Sequence, residues 1–251
     1  MNDKDNRRRV AVVTGAAMGI GQAVAARLAR DGHDVAIADL ADAAETERLV
    51  KEAGAQVHSA RVDVTDSVAV GDFIAATTGR LGAPAVVVAN AGVYPLMPFL
   101  DTSWQVWRKI MDVNVDANYH LLQATLPAMI EAGWGRVVAL ASTVFHSGPP
   151  NTVAYTASKG AVIGLVRALA SEVGDHGITV NAVAPTIVRT PGVMDGPMAE
   201  SGVIEMVRNM QAIKRVVVPE EIASAIAFLA SDDAAMITGQ TLPVDAGSVR
   251  V

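Results

Sequence analysis

The stretch Val10-Ala-Val-Val-Thr14-Gly15-Ala-Ala-Met18-Gly19-Ile20-Gly21, followed by Ala, Val and Leu at helical spacing through Ala29, decides the fold. A short apolar run of strand length meets a glycine-rich turn, and the turn opens a helix. In that context the glycines let the backbone come close to a diphosphate, and the helix N-terminus favours its negative charge. The spacing is Gly-x-x-x-Gly-x-Gly rather than Gly-x-Gly-x-x-Gly. A second strand, Asp34-Val-Ala-Ile-Ala-Asp39, follows. Asp39 closes it about 20 residues beyond the glycines, where a carboxylate can accept from both hydroxyls of an adenosine ribose. A carboxylate there repels a 2′-phosphate, and the flanking Met18 and Leu40 bring no positive charge, so NAD is expected over NADP.

Outward from this unit, strands and helices alternate. Strands are expected at 56–64, 85–89, 135–142, 178–184 and 241–245, with Pro243 placing the last at a sheet edge. Helices are expected at 43–54, 66–79, 104–111, 115–132, from about Asn151 to Gly174, and at 219–230. Residues 186–197 read as a loop and 194–211 as weakly helical, together a substrate loop of about 186–213. The pattern predicts an α/β protein: a Rossmann-type, doubly wound, seven-stranded parallel sheet with helices on both faces, in a single domain over 10–251. Residues 1–9, ending in Arg7-Arg-Arg9, read as a flexible, solvated tail.

Several strand ends carry polar groups, and ligands of such sheets bind at the carboxyl ends of strands. Asp63, followed by Val64, either touches an adenine or caps the next helix. Small residues in Asn90-Ala91-Gly92 let a ligand pass close to backbone. Asn114 sits between two helical segments, where it gains meaning if it perturbs the helix and offers a carbonyl to water. Ser142 ends the fifth strand. Tyr155 and Lys159 lie four apart on a helix, hence on one face. At an effective dielectric near 20, charges ~4 Å apart interact by about 4 kcal/mol, which would bring a tyrosine from ~10 towards ~7. A phenol poised there serves as acid and base at neutral pH. Tyr94, Phe145 and Met194 could build an apolar pocket, whereas His146 reads as a solvated loop residue.

Composition narrows the partners. The chain is 51% hydrophobic but 4% aromatic, a Val/Ala/Leu/Ile core suited to helices on a parallel sheet. A net charge of −6 gives no reason to expect nucleic acid or an anionic membrane. No cysteine is present, which excludes disulfides and thiolate metal sites. No metal site is expected from the rest. The charged start and the lack of an apolar run of spanning length make a cytoplasmic protein the expectation.

Taken together, these residues resemble the short-chain dehydrogenase/reductase family. The matches are Thr14-Gly-x-x-x-Gly-Ile-Gly21, Asp63-Val64, Asn90-Ala-Gly92, Asn114, Ser142, Tyr155-x-x-x-Lys159, Val180-Asn-Ala-Val-Ala-Pro185, Thr238-Gly-Gln240 and Val244-Asp245. They span nearly the whole chain in order. The resemblance implies that Tyr155 is the proton acid and base. Lys159 would bind the nicotinamide ribose and lower the tyrosine pKa. Ser142 would hold the substrate oxygen, and Asn114 would anchor a water relay. It implies cofactor contacts from Gly15, Met18, Gly19, Ile20, Gly21, Asp39, Leu40, Asp63, Val64, Asn90, Ala91, Gly92, Tyr155, Lys159, Pro185, Val188 and Thr190. It further implies a homotetramer built on the helices around Asn114 and Tyr155. Stretches such as Asn90–Phe99 and Ala184–Thr190 are similar to NAD-dependent dehydrogenases of aryl secondary alcohols. A small secondary alcohol or ketone is therefore the expected substrate, with 3-oxoacyl-carrier-protein reduction as the alternative. Two positions depart from the family: Thr186 follows Pro185 where glycine is usual, and Ala246 stands within what is usually Asp-Gly-Gly.

Overall fold

The computed structural model describes residues 8–196 and 198–250. Seven parallel strands form one sheet in the order β3-β2-β1-β4-β5-β6-β7. They are β1 (Val10–Thr14), β2 (Asp34–Asp39), β3 (Val57–Arg61), β4 (Pro84–Ala89), β5 (Gly135–Leu140), β6 (Ile178–Pro185) and β7 (Thr241–Val244). The strand order reverses between β1 and β4, which opens a crevice at their carboxyl ends. Pro243 lies in β7, at the sheet edge, where its missing N–H costs nothing.

Alternate residues of each strand feed two cores. One buries Ala11, Val13, Val35, Ile37, Val86 and Val88 against α1 (Gly19–Arg30) and α10 (Pro219–Leu229), through Val24, Leu28, Ile222 and Ile226. The other buries Val10, Val12, Val87, Val137, Ala139 and Val180 against α3 (Ser67–Arg80), α5 (Ala117–Ala132) and α7 (Val153–Val173). The nearly continuous Val/Ala runs in the strands follow from this, since both faces are covered. The remaining helices are α2 (Ala44–Glu52), α4 (Trp104–Met111), α6 (Val144–Ser147), α8 (Pro191–Met194) and α9 (Val203–Met210).

Three expectations need correction. Strand β3 stops at Arg61, so Asp63 lies beyond it in a turn, and Asp66 rather than Asp63 caps α3 by accepting from the N–H groups of Val68 and Ala69. Arg8 and Arg9 are not simply solvated. Arg9 donates to Asp232 at 3.1 Å and lies 3.8 Å above the Trp134 ring, while Arg8 reaches the Ala29 carbonyl. Residues 1–7 fall outside the described part of the chain. Finally, the stretch Val153–His176 is long and apolar enough to cross a membrane by length and composition, with a mean hydropathy of 1.2. Scattered Ser, Thr and Lys residues hide that average in the sequence. In the fold this stretch is a core helix whose Val162, Ile163 and Val166 pack against the sheet.

Candidate active site

The glycine turn is held rigidly at the head of the crevice. Gly15 (φ 65°) and Gly19 (φ 61°) adopt left-handed backbone that favours glycine. A Cβ on Gly21 would meet the Gly15 carbonyl oxygen at 2.2 Å, so only glycine closes this turn. The Thr14 hydroxyl accepts from the N–H groups of Asn90 and Ala91, and the Asn90 amide donates to the carbonyls of Thr14 and Gly15. Asn90 thus braces the turn against β4. No side chain caps the N-terminus of α1, which leaves its first amides and its positive dipole end to a ligand. A Cβ on Gly19 would lie 3.3 Å from the Thr190 methyl, so the turn faces the segment after β6.

Asp39 ends β2 with each carboxylate oxygen accepting one backbone N–H, from Ala17 at 2.8 Å and from Ala41 at 2.9 Å. Carboxylate oxygens retain further lone pairs for ribose hydroxyls. Met18 and Leu40 flank it and are exposed. Sequence reasoning missed Arg61, whose register across β3 sets it directly beside Asp39. No ion pair joins the two among the described residues. Asp63 is exposed, and its carboxylate accepts from the Thr65 N–H and hydroxyl, which holds its pKa below the usual carboxylate range. Val64 lines a small void with Thr14, Ala89, Ala91 and Asn118.

Asn114 is buried inside a π-type turn, Asp112–Asp116, between α4 and α5. The wider turn turns its side chain out of the helix. Its amide oxygen accepts from Val93 N–H at 2.8 Å, and its amide nitrogen donates to the Val93 carbonyl and the Ser158 hydroxyl. Ser158 donates in turn to the Tyr155 carbonyl at 2.7 Å. Asn114 therefore ties the loop after Gly92 to the helix of Tyr155. Its backbone carbonyl accepts from the Asn118 side chain at 2.8 Å.

Ser142, Tyr155 and Lys159 converge on one spot. The Ser142 hydroxyl lies close enough to the Tyr155 phenol to oppose the rise of its pKa. The Lys159 ammonium is buried, donates to the Leu140 carbonyl at 2.6 Å, and sits 5.7 Å from the centre of the Tyr155 ring. A Cβ on Gly92 would lie 3.3 Å from the Asn114 amide oxygen and 3.7 Å from that ammonium, so Gly92 sits against both. The expected acidic tyrosine is not found. Burial pushes the Tyr155 phenol up to about 12, with Ser142 opposing, and burial pulls Lys159 down to about 8. Desolvation penalises both charged forms. The phenol is therefore protonated at neutral pH.

Around this centre the apolar expectations divide. Tyr94 lines a cavity of about 490 Å³ with Gly92, Val93, Pro95, Met97 and Ile110. Phe145 folds onto Gly160 of α7, and His146 is exposed with its ring edge-on to Phe145. Met194 ends α8 and is exposed. Pro185 ends β6 and its carbonyl accepts from Thr143, while Val188 is buried and pairs with Val217. Ala246, where the family has glycine, holds a left-handed φ of 56°. The other departure, Thr186, is half-buried at the exit from β6.

Comparison with known proteins agrees with this geometry. A family model described as enoyl-(acyl carrier protein) reductase matches residues 15–248. Cis-4-hydroxycyclohexanecarboxylate dehydrogenase of Sinomonas cyclohexanicum is 38% identical over 97% of each chain. The 3-oxoacyl-[acyl-carrier-protein] reductase of Pseudomonas aeruginosa is 36% identical, covering 95% of this chain and 96% of its own. The crystal structure of carveol dehydrogenase from Mycobacterium avium in complex with NAD superposes with a TM-score of 0.92 at 33% identity, covering 96% of this chain and 98% of that one. With a matched family model over nearly its whole length and the Ser142, Tyr155 and Lys159 cluster at the strand ends, the chain belongs to the short-chain dehydrogenase/reductase family of oxidoreductases.

Proposed function

We propose that the protein interconverts a secondary alcohol and a ketone with NAD, on an apolar or aryl substrate. The observation that carries this reading is the meeting of Tyr155 and Ser142 beside buried Lys159, at the sheet edge where the open α1 N-terminus and Asp39 also lie. The glycine turn suits a diphosphate and Asp39 suits an unphosphorylated ribose. The NAD complex of the carveol dehydrogenase relative supports the same cofactor. Bound NAD would supply the hydride acceptor.

The remaining chemistry belongs to the chain. Ser142 holds the reacting oxygen. Tyr155 gives its proton to that oxygen in ketone reduction and takes it back in alcohol oxidation. For oxidation, alcohol and NAD⁺ yield ketone, NADH and one proton, and the proton leaves by way of Tyr155. A phenol pushed up to about 12 is charged with its proton at neutral pH, which suits it to the reductive direction. Lys159 stands ready to stabilise the phenolate that reduction leaves behind, and Asn114 positions the loop and helix that frame the pair. The segment 186–213 is assigned to substrate.

The 36% identical acyl-carrier-protein reductase and Arg61 beside Asp39 keep 3-oxoacyl reduction as a second reading. Steady-state rates with NADH and NADPH, on an aryl methyl ketone and on a 3-oxoacyl thioester, separate the two. Faster turnover of the thioester with NADPH would overturn the first. We also propose a homotetramer. Phe99, Leu100, Trp104 and Tyr119 expose apolar area around α4 and α5 that assembly would cover, and light scattering on the eluted protein tests it.

A further inference from the structure

The Thr14 hydroxyl, at the end of β1, accepts from the N–H groups of Asn90 and Ala91, both at 3.1 Å. A hydroxyl has two lone pairs and one proton. Both lone pairs are thus spent, and among the described residues the proton is donated to no acceptor. Thr14 is 4% exposed, so bulk solvent does not serve it. Asn118, in α5, has the complementary need. Its amide nitrogen donates to the Asn114 carbonyl at 2.8 Å. A carbonyl only accepts, which fixes the amide the right way round and turns its oxygen away from Asn114. That oxygen is buried and accepts no hydrogen bond among the described residues.

Thr14 and Asn118 line the same void, of about 10 Å³. That is the room one water needs, and it admits no larger ligand. The other side chains around it, Val64, Ala89, Ala91, Ala117 and Leu121, are apolar. A buried donor and a buried acceptor left unmet are costly. A water that accepts from Thr14 and donates to Asn118 satisfies both, and such a bridge is nearly as favourable as a direct hydrogen bond.

We propose that this void is a binding site for one internal water, bridging the Thr14 hydroxyl to the Asn118 amide oxygen, and that Asn118 is a positioning residue for the cofactor turn. The bridge closes a hydrogen-bonded line through the interior. Thr14 holds Asn90 and Ala91, Asn118 holds the Asn114 carbonyl, and the Asn114 amide donates to Ser158, which donates to the Tyr155 carbonyl. The glycine turn and the helix of Tyr155 are thereby tied together behind the cleft. The water stands apart from the dehydrogenase reading, whereas its effect on cofactor binding rests on the NAD site of that reading.

A crystal structure of the NAD-bound protein that shows ordered water tests the site directly. One water peak should lie about 3 Å from both Thr14 Oγ1 and Asn118 Oδ1. No peak, a peak bonded to only one of the two atoms, or a cofactor atom against Asn118 Oδ1 overturns it. Affinity for NADH, followed by its fluorescence, tests the role. Asn118→Leu removes the acceptor and fills the void, and the Kd for NADH should rise about three- to tenfold, the worth of one hydrogen bond. In a Thr14→Val background, where the donor is already gone, Asn118→Leu should add nothing. In a Thr14→Ser background, which keeps the hydroxyl, it should cost as much as in wild type. An unchanged Kd in Asn118→Leu, or the same cost in the Val and Ser backgrounds, overturns the positioning role. Wild type that binds no NADH sinks the cofactor site, and the water then stands or falls on the crystal structure alone.

Discussion

The Lys159 ammonium donates to the carbonyl of Leu140, the last residue of β5, at 2.6 Å. Helix α7 thereby hangs its lysine from the sheet edge, in a place where burial lowers its pKa to about 8. Since the folded pKa lies below the unfolded value of 10.5, the unfolded chain binds the proton more tightly between these values. Stability should therefore rise with pH from about 8 to 10. Above 10 the raised phenol of Tyr155 acts the other way, because the unfolded chain then loses a proton that the folded one keeps. Urea denaturation at pH 7 and pH 10 should show Lys159→Met losing this rise, a difference of up to about 3 kcal/mol. Equal pH dependence in the two proteins would contradict the buried, proton-shedding lysine.

Tyr155→Phe removes the proton donor while keeping the ring packed. The turnover number should fall by about 10²–10⁴, with NADH binding, followed by its fluorescence, held within a few-fold. In wild type, oxidation of an alcohol should speed up as pH rises above 8, because it needs a phenolate that burial opposes. Ketone reduction should stay level through the same range. A bell centred near pH 7 for oxidation would instead indicate the acidic tyrosine that spacing alone suggests.

Much of this was legible in the chain. Five Val/Ala-rich runs separated by helical patterns marked the body of the sheet, and the Gly-rich turn marked its ligand edge, because both are dictated by local backbone needs. The pKa of Tyr155 was not legible. Spacing four residues apart shows that two groups share a face, but not how much water remains around them. The docking of Arg9 was hidden too, since Trp134 and Asp232 come from distant parts of the sequence. Asn114 offered only a hint: an amide in a helical pattern does not announce a π-type turn, which tertiary bonds to Val93 and Ser158 hold in place.

Asp39→Ala should do two things at once. It leaves the Ala17 and Ala41 N–H groups without their acceptor, costing about 1–3 kcal/mol of stability. It also removes the charge that repels a 2′-phosphate, with Arg61 next to it in register. The ratio of kcat/KM for NAD over NADP is expected to drop at least tenfold. An unchanged ratio would show that Asp39 serves only the turn.

Ala246→Gly should stabilise the protein. A residue with a Cβ pays for its φ of 56°, and its carbonyl must stay in place to accept from Ala212 and Ile213. Relief of about 1 kcal/mol would raise the melting temperature by about 2–4 °C in a chain of this size, as read by calorimetry. A lower melting temperature would mean that the methyl group contributes packing that outweighs the strain.

The widened turn at Asp112–Asp116 also acts as a phase shifter. An extra residue in one helical turn rotates all that precedes it by roughly 100° relative to a regular continuation. The side of α4 that carries Val106 and Ile110 lines the Tyr94 cavity, just ahead of that turn. Single-residue insertions or deletions near Asn114 would thus re-aim the cavity wall and, through Ser158, disturb the helix that carries Tyr155.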